Sequence, residues 1–148
     1  MMDQRSSLDK IVAPMVYGDG FPAADDVDAH ELTHAVTEFT ANLFYYMQSG
    51  ALNESYSDIF GEAVNLGNGS GTDTPVVRWQ MGEDVPGFGA IRDMMDPTLF
   101  GDTGKMSDSG QFVRDDPGSD QGGVHSISGV PITPMPRWST AGHTTEKL

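Results

Sequence analysis

The 148-residue sequence has no cysteine, few cations and no long apolar run. Without cysteine there is no disulfide framework, no thiolate metal site and no cysteine nucleophile, so any metal must be held by histidine, carboxylate or backbone oxygen. Eight lysines and arginines stand against 22 aspartates and glutamates, a formal net charge of −14. Such a field repels phosphate backbones and anionic head groups, which argues against nucleic acid and membrane surfaces as partners. The opening MMDQRSSLDK lacks the apolar centre of a secretory signal, and no later stretch reads as a bilayer span. The 37% apolar content is enough for one domain with a modest core.

Composition divides the chain into three zones. Residues 1 to 24 show little periodicity and end in a turn-rich Gly-Asp-Gly-Phe-Pro run, residues 25 to 66 carry the helical signal, and glycine, proline, serine and aspartate dominate after Gly67. Leu32, Ala35, Val36, Phe39 and Leu43 form the stripe of a helix with a buried apolar face, with Asp25, Asp26 and Asp28 in its first turn as N-cap acceptors. Leu52, Tyr56, Ile59, Phe60 and Ala63 mark a second helix that stops near Gly67, Asn68 and Gly69, and the stretch from Tyr45 to Gly50 lets the two turn back on each other. The stretch from Glu83 to Asp120 holds nine acidic and three basic residues. It reads either as a solvated loop or as one partly ordered by calcium, although no EF-hand loop is present.

His30, Glu31, Leu32, Thr33 and His34 spell H-E-x-x-H within the first helix. At a spacing of four, two imidazoles lie one turn apart on one face, which suits two ligands of one tetrahedral zinc. Glu31 projects about 100° around from His30, where it can reach a zinc-bound water rather than the metal. With four histidines in the chain, about 0.004 such matches are expected by chance. A catalytic zinc needs a third protein ligand, and the second helix offers Glu54 with Asp58 one turn on. Taken alone, that pair reads equally well as ordinary helix surface.

The run MVYGD from Met15 to Asp19, the helix DAHELTHAVTEFTANL, the following SGALNESYSDIFGEA and the later GGVHSISGVP together resemble the thermolysin family of zinc metalloendopeptidases over Met15 to about Pro131. The resemblance implies zinc on His30, His34 and Glu54, Glu31 as catalytic base, and Asn53 and Asp58 behind His34 and His30. It implies that Tyr45 and His125 stabilise an oxyanion, that Asp120 orients His125, and that Arg92 holds the substrate backbone. Alone, Tyr45 and Arg92 would read as packing or surface residues. Val27, Ile91 and Phe21 would line an apolar pocket for the side chain just after the scissile bond. Asp26 and Glu83 match calcium ligands of the family, whereas Asn65, Arg78 and Gln80 stand where other members carry acids, so the pattern suits one calcium rather than two. Asp26 is equally explained as a helix cap.

The expected fold is mainly α with long irregular loops, built on a thermolysin-like central HExxH helix and a second ligand-bearing helix. Residues 1–40 are read as the end of an upper catalytic domain, 41–131 as the start of an α-helical lower domain, and 132–148 as a divergent tail. Most of the β-rich upper lobe and the closing C-terminal helices of the family have no counterpart: MMDQRSSLDKIVAP replaces the family's substrate-pairing strand, and prolines at 131, 134 and 136 fall where a helix would follow. Two functions are compatible with this. One is a zinc endopeptidase acting on proteins or peptides on the amino side of large apolar residues, secreted by family resemblance. The other is an inactive zinc-binding or partly folded remnant of such an enzyme.

Overall fold

The computed structural model describes residues 15–108 and 119–133; expectations for the first 14 residues, for 109–118 and for the tail from 134, including His143, lie outside the described residues. Helix α1 (Asp25–Phe39) and helix α2 (Met47–Asn68) form the centre. A two-stranded antiparallel ribbon, β1 (Gln80–Met81) with β2 (Arg92–Asp93), pairs Gln80 with Asp93 and Met81 with Arg92. Helices α3 (Asp120–Ile127) and α4 (Gly129–Ile132) are the last of the described elements, and irregular loops with two short 3-10 turns connect the rest among the described residues. The chain is mainly α, as its sequence predicts.

Helix α1 begins with three acids at the positive end of its dipole. Its N-cap is Ala24, which has no side-chain acceptor, so the expected aspartate cap is not made. Asp26 is instead fully buried: its Oδ1 accepts from Val27 N at 2.7 Å and its Oδ2 from Gly82 N, which ties the start of α1 to the ribbon. The helix ends at Phe39, leaving Leu43 outside it, and Asn42 in the left-handed region donates its N–H back to Thr37 O. Helix α2 ends at Gly69, whose φ of 69° is the left-handed stop that glycine supplies without strain.

The two apolar stripes do not form the core. Leu32, Val36, Tyr56 and Phe60 are exposed, and only Ile59 of the second stripe packs against the central cluster. No described element covers that face. Helix α2 buries a small and polar side instead, including Gly50, Asn53, Glu54, Ser57, Asp58 and Glu62. Small residues there let the helices approach closely: a Cβ on Gly61 would stand 2.5 Å from Asp26 O. The apolar core lies at the other end, where Ala24, Val27, Met81, Val85, Met94 and Ile132 meet, with Phe21, Trp79 and Ile91 around them. It anchors the N-terminal half of α1 to the ribbon and so fixes the position of the motif that follows.

Candidate metal centre and cleft

Helical spacing brings His30 and His34 together, their Nε2 atoms 2.9 Å apart and their rings edge-on. Glu54 of α2 closes the group from across the helix pair, 3.5 Å from His30 Nε2 through Oε2 and 3.2 Å from His34 Nε2 through Oε1. Zinc bonds of about 2.0–2.1 Å place neighbouring ligands of a tetrahedron about 3.3 Å apart, and the three separations bracket that value. Among the described residues, this is the one trio of His and carboxylate donors close enough to share an ion. Glu54 is fully buried, and its Oε2 has no hydrogen bond. A buried carboxylate oxygen left unpaired is costly, so the donor set fits a zinc ion in chemistry and in spacing.

Each imidazole is held from behind. His30 Nδ1 is 2.8 Å from Asp58 Oδ1, and His34 Nδ1 is 2.9 Å from Asn53 Oδ1, with Ser57 Oγ at 3.1 Å. These contacts direct both Nε2 atoms toward the shared position. Asp58 also accepts two hydrogen bonds from Arg92, from Nε at 2.9 Å and from a terminal nitrogen at 2.6 Å. Burial works to raise the acids here, but the charges and hydrogen bonds prevail. Contacts from His34, His125 and His30 hold the Glu54 carboxyl down to about 2, and Arg92 and His30 hold Asp58 down to about 2. Burial disfavours the charged form of His34, yet its bonds to Glu54 and Asn53 leave its pKa raised.

A second pair faces the trio. Tyr45 donates from its hydroxyl to Glu54 Oε1, and His125 Nε2 lies 3.3 Å from the same hydroxyl and 3.4 Å from Glu54 Oε1. Burial and the Glu54 carboxylate push the Tyr45 phenol well up, so it stays protonated and able to donate. Asp120 fixes His125 twice: Oδ2 accepts the His125 backbone N–H at 3.0 Å, and Oδ1 lies 2.8 Å from Nδ1. The tight turn that permits this runs through positive φ at Asp120, Gln121, Gly122 and Gly123. Gly122 cannot be replaced freely, since a Cβ there would meet the Met47 side chain.

Two cavities flank Glu31. One of about 190 Å³ is lined by Phe21, Val27, Met81, Ile91, Arg92 and His125, which brings the four expected substrate-contacting residues to one place. Arg92 also spends two of its donors on Asp58. The other cavity, of about 390 Å³, is lined along α1 by His30, Glu31, His34 and Glu38 and beyond the helix end by Asn42, Leu43 and Tyr45.

The expected calcium residues lie elsewhere, in a cluster with members that sequence reasoning missed. Asn65 donates to Glu83 Oε1 at 2.8 Å, and Glu62 Oε1 accepts the Trp79 N–H at 2.7 Å. Glu62 Oε2, Asn65 Oδ1, Asp73 Oδ1 and Glu83 Oε2 are buried without a hydrogen bond. Burial and mutual repulsion raise Glu62 and Glu83 to about 7 each. Oxygen donors of this kind fit a hard cation, although the cluster is looser than the histidine centre. Glu62, one turn after Asp58, carries no local signal that separates it from a surface acid. Asp102, raised to about 6 by burial, is likewise silent in the sequence.

A family model described as the thermolysin metallopeptidase alpha-helical domain matches residues 41–135. A zinc metalloproteinase of Renibacterium salmoninarum is 47% identical over 119 residues, 78% of this chain and 21% of the relative. An extracellular elastase of Staphylococcus epidermidis is 45% identical over 140 residues, 87% of this chain and 25% of the relative. The solved precursor of protealysin, a metalloproteinase from Serratia proteamaculans, superposes with a TM-score of 0.62 at 33% identity, over 84% of this chain and 42% of that one. The chain thus spans a quarter or less of the length of these two curated relatives.

Proposed function

This chain belongs to the thermolysin family of metallopeptidases, and from that premise we propose that its cleft holds one zinc on His30, His34 and Glu54 and hydrolyses peptide bonds. The observation that carries the reading is the meeting of two Nε2 atoms and a buried, unpaired carboxylate oxygen at mutual distances of 2.9 to 3.5 Å. When bound, zinc supplies Lewis-acid polarisation of the scissile carbonyl and a lowered pKa for water. Glu31, free of the trio and lining both cavities, takes the proton of the attacking water and delivers it to the leaving amine. Tyr45 and His125 donate to the developing oxyanion, and Asp120 keeps His125 aimed by holding its Nδ1. The cavity of Phe21, Val27 and Ile91 takes a large apolar side chain just after the bond, beside Arg92.

The substrates on this reading are proteins or peptides, and the chain acts outside the cell, a proposal supported by the extracellular elastase relative. No helix among the described residues is long and apolar enough to cross a membrane. The division between upper and lower catalytic domains is placed near residue 40, with a divergent tail from 132. One calcium is assigned to the cluster of Asp26, Glu62, Asn65, Asp73 and Glu83, where its charge would offset the mutual repulsion of the carboxylates.

The test is metal analysis after dialysis together with peptide cleavage. The parent is expected to keep one zinc per chain and His34→Ala to lose it. Glu31→Gln is expected to keep zinc and lose about 10²- to 10⁴-fold in turnover. Equal zinc in parent and His34→Ala would overturn the metal assignment, and an active Glu31→Gln would overturn the base. The apolar face of α1 and α2, which no described element covers, favours a second reading, a chain that holds zinc without turnover. Zinc retention with no cleavage in the parent would select it.

A further inference from the structure

The larger of the two cavities that flank Glu31 is lined, beyond His34, by a carboxylate that the proposed chemistry does not use, Glu38. Glu31 and Glu38 are seven residues apart on α1. Seven residues turn 700°, about 20° short of two full turns, and rise about 10.5 Å. The two carboxylates therefore lie on one stripe of the helix, with the cavity running alongside and both residues lining it. Glu38 is exposed, and among the described residues no side-chain hydrogen bond or ion pair engages its carboxylate. Among the described residues the non-histidine cations are Arg78, Arg92 and Lys105, and none of the three lines this cavity. The Glu38 side of the cavity is thus a negative site with no counter-ion among the described residues.

Direction along the cleft follows from the other cavity. Val27 and Phe21 lie on the N-terminal side of His30, and their apolar pocket takes the residue after the scissile bond in the reading above, on which this inference rests. Residues before the bond then run toward Glu38. Two extended residues advance about 6.6 Å, and the four-carbon stem of a lysine closes the remaining distance to the carboxylate. We propose that Glu38 is a specificity-determining residue, selecting substrates with lysine or arginine at the second position before the cleaved bond. The overall charge of −14 attracts such cationic peptides to the cleft at long range, while Glu38 sets the position at which the charge is read.

The test uses the full zinc-loaded chain and a peptide set that differs only at that second position, as lysine, norleucine or glutamate. Each is made in a cleavable form and in a labelled form with the scissile amide reduced, so that binding is read by fluorescence anisotropy independently of turnover. The lysine peptide is expected to bind about two- to fivefold more tightly than norleucine at low salt, the scale of an exposed ion pair, and the advantage should fade at high salt. Glu38→Gln should bring the ratio near one, and Glu38→Lys should reverse the order in favour of the glutamate peptide. An unchanged lysine preference in Glu38→Gln, no preference in the parent, or no binding of any peptide would overturn the inference. A lysine preference in binding without any cleavage would leave it standing and overturn the catalytic reading instead.

Discussion

The guanidinium of Arg92 grips both oxygens of Asp58, at 2.9 and 2.6 Å, while the same carboxylate stands 2.8 Å from His30 Nδ1. A cation on the ribbon thus reaches the proposed metal centre through one buried acid. Asp58→Asn should keep the shape, remove the charge behind His30 and lower zinc affinity about 10- to 100-fold, read by competition with a chromophoric chelator. Arg92→Met should act differently. It leaves the buried Asp58 without its cation, with only His30 Nδ1 beside it, so unfolding in urea should become easier by about 3 kcal/mol. Undiminished zinc affinity in Asp58→Asn would mean that the carboxylate does not support His30.

The metal-free chain should be most stable near pH 4 to 5. Glu62 and Glu83 titrate at about 7 in the folded chain against 4.5 ordinarily, so the folded state binds more protons than the unfolded one between those values. Stability must then fall as pH rises from about 4.5 to about 7. His34, whose pKa is also raised, adds to the loss on the alkaline side. Below pH 4.5 the sign reverses: Glu54 and Asp58 are held down to about 2, so their contribution disappears as pH falls toward that value. Chemical unfolding across pH would test this, and Glu62→Gln should flatten the fall above pH 4.5. Added calcium should do the same for the parent while leaving Glu62→Gln less affected. A parent whose stability rises from pH 5 to 7.5 would contradict the burial of these carboxylates.

The His30 and His34 part of the proposed metal site is legible in sequence for a geometric reason. Two side chains on one helix face stand three or four residues apart, so His30, Glu31 and His34 fall within five positions. Glu54 lay 24 residues away and became visible through resemblance rather than through spacing. The apolar stripes mislead because periodicity marks an apolar face without saying which element covers it. Leu32 and Phe60 follow the helical period and are still exposed at 57% and 56%. The buried side of α2 was illegible for the opposite reason. Asn53, Ser57, Asp58 and Glu62 read as a solvated face until α1 and the ribbon bring His34, His30 and Trp79 against them.

That exposed face should make the chain associate. Leu32, Val36, Tyr56, Phe60 and Val64 border an apolar cavity of about 400 Å³ between the helices. A patch of this kind on a free surface drives self-association. Replacing Val36 and Phe60 together by serine should lower the weight-average mass in sedimentation and reduce binding of an apolar dye. Because both side chains are exposed, the cost in unfolding free energy should stay within about 1 kcal/mol. An unchanged mass distribution would show that this face is not what brings copies together.

Two glycines of α2 allow a paired test of how the helices meet. A methyl group on Gly61 would stand 2.5 Å from Asp26 O and 3.2 Å from the Met81 side chain, and the first of these is backbone that cannot rotate away. Gly61→Ala should therefore push α1 off α2 at the residue that ties it to the ribbon, and overpacking of this kind costs about 1–3 kcal/mol. Gly67 lies about one and two-thirds turns further along the same helix, where an added Cβ would meet nothing within 4 Å outside the helix's own backbone. There the gain in helix propensity acts alone, and Gly67→Ala should stabilise by about 0.5 kcal/mol, less than the full interior value because the helix ends at Asn68. The same chemical change is thus expected to have opposite signs six residues apart. Urea midpoints measured on the two variants with zinc present would decide it. If Gly61→Ala were neutral or stabilising, the close approach of α1 to α2 would be wrong, and the placement of His30 and His34 against Glu54 would have to be revised with it.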